Sequence, residues 1–340
     1  MRPSTPQLCL LALAGLCLAP LAAQDAKPPH DDSVPTLHVY TDLVQTAVIV
    51  LDLDLKPIPP VPESRFFVSL DGGPRFRVTH ARLEGDDPIS LAILLDLNQP
   101  FPDLMKYVGD AMATLAPPFL NARDQISIYT MDCQLLLAES GVAAQPVALK
   151  QAVDRALQPW TARGRNPPKD CKKPMRLWDS LTGVTQTIAQ QPGHRVILAI
   201  TDGVDRGSKI TWNSLSIDAA LSGVAIFGLL DSPPQLVLTK ICDATGGMLL
   251  PTDRKGLPKS LQAFTAILRG RYIVEFPRPR SNVPGYHGMD ISVDRTIAFI
   301  RTSGAQIPLD DPAILNDPAT IQSDPTHAPT LGSHRPPPPD

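Results

Sequence analysis

The sequence lacks the motifs that mark the common classes of α/β enzyme. It has no Gly-x-Ser-x-Gly nucleophile elbow, and its histidines and cysteines do not show the spacing of zinc ligands. No glycine follows the apolar stretch "LAILLDLNQP", so the phosphate-binding loop of nucleotide-binding folds is missing there. We therefore predict that the protein is not an enzyme.

The chain also has no excess of basic residues and few long apolar runs. The 31 lysines and arginines are balanced by 34 aspartates and glutamates, for a net charge of -3, which argues against a nucleic-acid partner. One apolar run, Leu8 to Ala23, follows Arg2 and ends in small residues, as a secretory signal peptide does. We expect cleavage near Ala23, a secreted or periplasmic protein, and no membrane span after cleavage.

The apolar pattern divides the chain into a central block with flanks of a different kind. From Ile89 to Gly270, strand-like and helix-like stretches alternate, which predicts a doubly wound, mostly parallel sheet covered by helices. The flanks are β-rich, and since neither alone makes a stable sheet, we expect them to join into one small β-sandwich. The predicted units are a signal peptide (1–23), a linker (24–35), the N-terminal segment of the sandwich (36–86), the α/β domain (87–270), the C-terminal segment of the sandwich (271–304) and a disordered proline-rich tail (305–340).

Two predicted strands end in an aspartate, Asp96 in "LLDLNQP" and Asp202 in "AITDGVDRGS". In open α/β sheets ligands bind beyond the carboxyl ends of the strands, so the two carboxylates should converge there. Paired carboxylates suit a hard cation such as Mg²⁺ or Ca²⁺. Each could equally cap its own loop through backbone N–H groups, and the spacing does not separate these interpretations.

Several stretches, in this order, resemble the von Willebrand factor type A (VWA) domain, and most closely the exported VWA-related proteins common in Acidobacteria. The resemblance rests on "LLDLNQP" in place of Asp-x-Ser-x-Ser, on "RLWDSLTGV", "ITDGVDRGS" and "CDATGGMLL", and on the closing "RYIVEFPRPRSNVPGYHGMDISV". It implies a Rossmann-like fold and a metal-ion-dependent adhesion site with ligands from three loops.

Transferred to this chain, the resemblance implies a degenerate adhesion site. Asp96 and Asp202 match ligand positions, and Asn98 replaces the first serine. Pro100 replaces the second serine and Met175 stands near the threonine position, and neither side chain offers a hard oxygen ligand. We expect no cofactor, or at most weak Mg²⁺ or Ca²⁺ binding.

The alternative is that Asp205, Asp179 or Asp132 substitutes and makes a rearranged Mg²⁺ or Ca²⁺ site. Asp179 stands near a helix start, where capping is the more common role. Asp205 and Ser208 are expected to organise the loop after Asp202.

Three cysteines remain after signal cleavage, so at most one internal disulfide can form. Cys133 and Cys171 are both expected at the ligand-side edge, either bonded or as free thiols, and Cys242 is expected to pack in the core. The basic stretch "TARGRNPPKDCKKP" is either a solvated loop or a patch for an acidic partner.

We therefore predict a binding protein that recognises another protein or a cell-envelope component. The predicted contact residues are Asp96, Asn98, Met175, Asp202 and Asp205. The alternatives are a metal-binding VWA adhesin, a metal-assisted enzyme of the doubly wound class, and a scaffold that has lost its ligand.

Overall fold

The structure of the 340-residue chain is a computed structural model. It describes residues 38–39, 43–98, 104–164, 171, 173–231, 233–279, 284–307, 312, 316, 320–321 and 328–334. The predicted signal peptide, the linker, Pro100 and half of the basic loop lie outside these ranges. Within them, no helix has the length and apolar character to cross a bilayer.

The elements follow one another in the order that the alternating pattern predicts. The strands are β1 His38–Val39, β2 Leu43–Leu51, β3 Phe66–Leu70, β4 Phe76–Arg77, β5 His80–Leu83, β6 Ile89–Asp96, β7 Gln125–Met131, β8 Leu135–Val142, β9 His194–Ile200, β10 Val224–Leu230, β11 Leu249–Pro251, β12 Tyr272–Pro277, β13 Gly285–His287, β14 Met289–Val293, β15 Phe299–Thr302, β16 Ala305–Ile307 and β17 Thr320–Ile321. The helices are α1 Met105–Met112, α2 Pro146–Arg163, α3 Leu177–Ile188, α4 Trp212–Leu221, α5 Leu236–Ala244 and α6 Leu257–Arg269.

The central sheet has six strands in the order β11-β10-β9-β6-β7-β8. All neighbours are parallel except β7 and β8, which are antiparallel. The chain builds outward from β6 to β8 and then returns to start again at β9. This reversal between β6 and β9 is the switch point at which α/β sheets leave a crevice beyond the strand ends.

Helices cover both faces of this sheet, because β6 is apolar on both sides. All eight residues of β6 are buried. Ile93 and Leu95 face a core shared with α1, α2 and α6, whereas Ala92 and Leu94 face a core shared with α3, α4 and α5. The predicted mixed α/β fold with a mostly parallel sheet is therefore confirmed.

The strands before and after this block pair with each other. β2 lies between β12 and β15 in a four-stranded sheet completed by β5, and β3 lies between β14 and β4. A third core contains side chains of both sheets, among them Val48, Phe66 and Val274. The two flanks do combine around an inserted block; the description as a sandwich and the domain boundaries stay predictions.

Some residues of the predicted disordered tail are ordered, so that prediction is wrong for them. β16 pairs with β13, and its alternating residues Ala305 and Ile307 are buried. β17 pairs with β1. Residues 328–334 lie against the turn after β3, with Leu331 packed on the third core. Scattered apolar residues thus find partners in the flanking sheets, which composition alone did not reveal.

A buried ion pair joins the two points where the chain enters and leaves the α/β block. Arg271, which precedes β12, donates from Nε and Nη2 to the Glu84 carboxylate at 2.7 and 2.8 Å. Both side chains are almost fully buried. Two residues earlier, Arg269 donates to the carbonyls of Gly85 and Asp87 and pairs with Asp124. The block is thereby fastened at its base to the flanking sheet.

Breaking this pair should destabilise the whole protein. We expect Glu84→Ala to lower the free energy of unfolding by about 3–5 kcal/mol, because Arg271 would keep a buried charge without its partner. Urea denaturation measures the loss. The control Lys150→Ala breaks exposed pairs with Asp110 and Asp154 and should cost less than about 1 kcal/mol. Equal losses in the two variants would contradict this assignment.

Candidate functional site

The crevice at the switch point contains Asp96, the last residue of β6. Its carboxylate is fully buried and accepts the hydroxyl of Thr201 at 2.6 Å and the backbone N–H of Asn98 at 3.0 Å. Thr201 follows β9, and its hydroxyl oxygen in turn accepts the N–H of Gly203 at 3.0 Å. Asp96 therefore connects the ends of the two strands that flank the crevice.

The pKa of Asp96 is shifted by this environment. Burial raises it from the ordinary 3.8 to about 6, and the nearby charge of Asp202 adds to the rise. The bonds from Thr201 and Asn98 and the charge of Arg206 favour the ionised form and limit the shift. The site thus holds a carboxylate whose charge is costly to bury.

Asn98 ties three loops together. Its Nδ2 donates to the carbonyl of Asp132 at 2.9 Å and to that of Met175 at 3.2 Å. The N–H of Met175 also donates to the Asp132 carbonyl, at 2.7 Å. The predicted site residues Asn98 and Met175 therefore do meet beside Asp96, but through hydrogen bonds within the protein.

Asp202 is paired with an arginine that sequence reasoning missed. Arg206 Nη2 lies 2.5 Å from Asp202 Oδ2, and Nη1 lies 3.5 Å from Oδ1. The Arg206 guanidinium also donates to the Val204 carbonyl at 3.0 Å, which fixes it on the loop. The charges of Asp96 and Asp205 help to raise the pKa of Arg206, behind the larger effect of its bond to Asp202. A positive charge is thus built into the chain beside Asp202, one of the two acids that the resemblance places at ligand positions of a degenerate site.

The predicted role of Asp205 and Ser208 in organising the loop is visible in their contacts. Asp205 accepts the Ser208 hydroxyl at 2.6 Å and the N–H groups of Ser208 and Gly207 at 2.9 and 3.0 Å. Burial opposes ionisation of Asp205, but these donors outweigh it and lower its pKa. Ser208 Oγ also accepts the N–H of Trp178 at 3.1 Å, so this loop caps the start of α3.

Asp179 does not cap its own helix, contrary to the expectation. Its carboxylate instead accepts the N–H groups of Lys209 and Ile210 at 3.0 and 2.9 Å. The helix start and the loop after β9 therefore cap each other across the crevice. Spacing along the sequence could not reveal this exchange, because the two partners come from distant segments.

The third edge loop is fastened by a disulfide and an ion pair. Cys133 and Cys171 are bonded, with their Cα atoms 5.5 Å apart, and Cys242 is a fully buried free thiol. The carboxylate of Asp132 pairs with Arg163, one of the residues of the basic loop. Some of the positive charge predicted for that loop is thereby neutralised within the protein.

These side chains do not fit a divalent cation. A guanidinium stands against Asp202, the Thr201 proton is directed at Asp96, and the Asn98 amide donates to two carbonyls. The acids that could substitute as ligands also have partners within the protein. Asp132 pairs with an arginine, Asp179 accepts backbone N–H groups, and Asp205 accepts a serine hydroxyl. Over the described ranges, no three His, Cys, Asp or Glu side chains are grouped to hold a metal.

Exposed apolar side chains lie on the loops and helix starts of the same sheet edge. Val204 follows β9, Trp212 begins α4, and Leu236 and Val237 begin α5 after β10. Leu236 is 69% exposed and Trp212 37%. Lys240 Nζ lies 5.5 Å from the centre of the Trp212 ring. The rim of the crevice thus presents apolar and aromatic side chains beside the buried charges.

Comparison with known proteins yields only distant structural likenesses. No protein-family model and no curated protein matches the chain. The TFIIH p34 N-terminal domain has 17% identity to this chain and a TM-score of 0.39. The match covers 52% of this chain and 98% of the TFIIH p34 domain. Likenesses at TM-scores below 0.5 say nothing about the family or the function of this chain.

Two further solved structures are similar to the chain at the same distant level. Proximal thread matrix protein 1 from the mussel byssus, with a zinc-occupied MIDAS motif, has 13% identity, a TM-score of 0.40, and coverage of 55% and 49%. BatB from Bacteroides thetaiotaomicron has 13% identity, a TM-score of 0.36, and coverage of 53% and 97%. The chain therefore spans about half of the mussel protein.

The raised pKa of Asp96 predicts a specific pH dependence of stability. Between pH 3.8 and about 6 the Asp96 carboxyl is ionised in the unfolded chain but still protonated in the folded protein. The free energy of unfolding therefore falls as the pH rises through this range. Asp96→Asn removes the titration. The free energy of unfolding of the variant minus that of the natural protein should rise by roughly 3 kcal/mol between pH 3.5 and 7. This is the free energy that corresponds to a pKa shift of about two units.

Urea denaturation at a series of pH values measures this difference. The control Asp54→Asn removes an exposed carboxylate, whose side chain is 79% accessible, and should give a nearly constant difference. A difference that also stays constant for Asp96→Asn would contradict the buried-charge assignment.

The Cys133–Cys171 bond should stabilise the protein by restricting its unfolded chain. The bond closes a segment with a sequence separation of 38 residues. The double variant Cys133→Ser/Cys171→Ser should lose about 2–4 kcal/mol in denaturant unfolding. Reductant should destabilise the natural protein by a similar amount and leave the variant unchanged. An unaltered unfolding midpoint in the variant would show that the bond contributes nothing.

Proposed function

We propose that the protein is an exported, VWA-type binding protein that recognises another protein or a cell-envelope component without a metal ion. The recognition surface comprises the loops at the strand carboxyl edge around Asp96, Asn98, Met175, Asp202 and Asp205. The observation that supports this most is the Arg206 guanidinium on Asp202, because it supplies the counter-charge that a bound cation would otherwise provide.

The electrostatics of the crevice favour the metal-free alternative over a rearranged adhesion site. Asp202 and Asp96 would each have to give up a protein donor before a divalent cation could be coordinated. Mg²⁺ demands near-octahedral oxygen geometry and tolerates such competition poorly. The interpretation as a metal-assisted enzyme depends on the same ions and is disfavoured for the same reason.

The rim supports a macromolecular partner rather than a small ligand. Trp212, Leu236, Val237 and Val204 are all partly or largely exposed on loops and helix starts that follow β9 and β10. Tryptophan in particular is enriched among the residues that contribute most to binding at protein interfaces. The position of Lys240 over Trp212 adds a cation that suits an acidic group on the partner.

Metal titration tests the absence of a working adhesion site. Calorimetry with Mg²⁺, Mn²⁺ and Ca²⁺ should detect no binding tighter than millimolar to the natural chain. Arg206→Ala should bind these ions at least about tenfold more tightly, since it removes a charge interaction of a few kcal/mol. Arg155→Ala, which breaks an ion pair on α2, is the matched control and should not change. Micromolar binding to the natural chain, lost in Asp96→Ala, would contradict the proposal.

Site-specific cross-linking tests the binding surface itself. A photoreactive p-benzoylphenylalanine is placed at Trp212 or Leu236, and at Leu53 as an exposed control in the turn after β2. In cells that produce the protein, the first two positions should give discrete covalent adducts, and the control should not. The adducts should persist in EDTA, because recognition does not need a metal. Adducts that disappear with EDTA, or that form equally from Leu53, would refute the proposal.

A further inference from the structure

The C-terminal segment 328–334, "APTLGSH", occupies a groove at the turn that follows β3. Asp71 lies in this turn, is buried and has a positive φ. Its carboxylate accepts the Gly288 N–H at 2.8 Å. The other carboxylate oxygen lies 2.6 Å from Nδ1 of buried His287. The turn is therefore also held from the side of β13 and β14, independently of the segment that lies on it.

The segment binds the turn through its backbone. The N–H of Gly332 donates to the Leu70 carbonyl at 3.0 Å, and the N–H of His334 donates to the Asp71 carbonyl at 3.0 Å. Pro329 is buried, and Leu331 packs on the core of the flanking sheets. Main-chain hydrogen bonds with alternate anchored side chains are the usual means by which an extended peptide is recognised.

Two facing glycines make this contact selective for sequence. A Cβ atom on Gly73 would lie 2.6 Å from the Gly332 nitrogen and 2.7 Å from the Thr330 carbonyl oxygen. A Cβ atom on Gly332 would lie 2.0 Å from the Asp71 carbonyl oxygen. The obstructing atoms belong to the backbone and cannot move aside. The groove therefore accepts a leucine followed by a glycine and rejects a larger residue in the second position.

We propose that this groove is an exchangeable docking site, in which the segment 328–334 of a second copy replaces the chain's own. The chain itself carries the matching sequence, so every copy supplies both a groove and a segment. Twenty residues separate Ile307 from Ala328 and can span up to roughly 66 Å, enough to reach a neighbouring molecule. Within this stretch β17 pairs with β1 over only two residues in each strand.

The symmetry of the exchanged contact determines what it builds. The groove and the segment are different surfaces, so the contact between copies is heterologous. Reciprocal exchange closes two copies into a dimer, whereas non-reciprocal exchange joins molecules head to tail into open chains or larger rings. The inferred partner is therefore a second copy of this chain, at a surface separate from the strand carboxyl edge.

Peptide binding to a full-length variant tests the groove. In Gly332→Val the chain's own segment cannot dock, so a labelled peptide with the sequence of residues 328–334 should bind and saturate in fluorescence anisotropy. A peptide with valine in place of its glycine should bind at least tenfold more weakly. Leu331→Asp is a second acceptor chain in which the groove is intact, and it keeps the test valid if the first variant misfolds. Failure of the peptide to bind either acceptor would overturn the proposal.

Association in solution tests the exchange. Light scattering should show the average mass of the natural protein rising with protein concentration. The control Ser333→Val changes an exposed neighbour and should behave like the natural protein, whereas Gly332→Val should stay monomeric. A natural protein whose mass is independent of concentration would show that the segment docks only within its own chain. The metal-titration and cross-linking outcomes are independent of this result.

Discussion

The bidentate pair between Glu84 and Arg271 is the constraint on which the arrangement of the two units depends. It lies where the chain enters the α/β block and where it leaves, so it fastens both crossing points at once. Arg269 adds bonds to the same entry segment. Because these charges are buried, separating the two segments would leave each charge without its partner. The six-stranded sheet is thereby held on the flanking sheets, with its carboxyl edge left for the loops of the candidate site.

At that edge, the chain places the Arg206 guanidinium against Asp202. Asp96 accepts donors from Thr201 and Asn98, and Asp202 pairs with Arg206, so both acids have partners within the chain. The loops are then fixed by mutual caps, by Asn98 and by the Cys133–Cys171 bond. This preorganised edge with its exposed apolar rim is the feature on which the proposal of partner binding rests.

Much of the fold could be predicted because it depends on local pattern. The continuous apolar run of β6 and the alternation of strands and helices lead directly to a parallel sheet, and the two strand-ending aspartates to a crevice at its edge. The prediction was wrong for part of the tail, where Ala305 and Ile307 are buried and Leu331 packs on the third core. Their burial depends on partners that lie far away in the sequence.

The sequence by itself determined the type and order of the elements and the positions of Asp96 and Asp202 at two strand ends, since periodicity and turn chemistry are local. Only the tertiary structure decided what these carboxylates hold. Arg206 is four residues from Asp202 in the chain, but this spacing alone does not show that the loop conformation brings the guanidinium to the Asp202 carboxylate. Likewise Asp179 and Ser208 exchange caps across the crevice, because hydrogen bonds form according to distance in space and not in sequence.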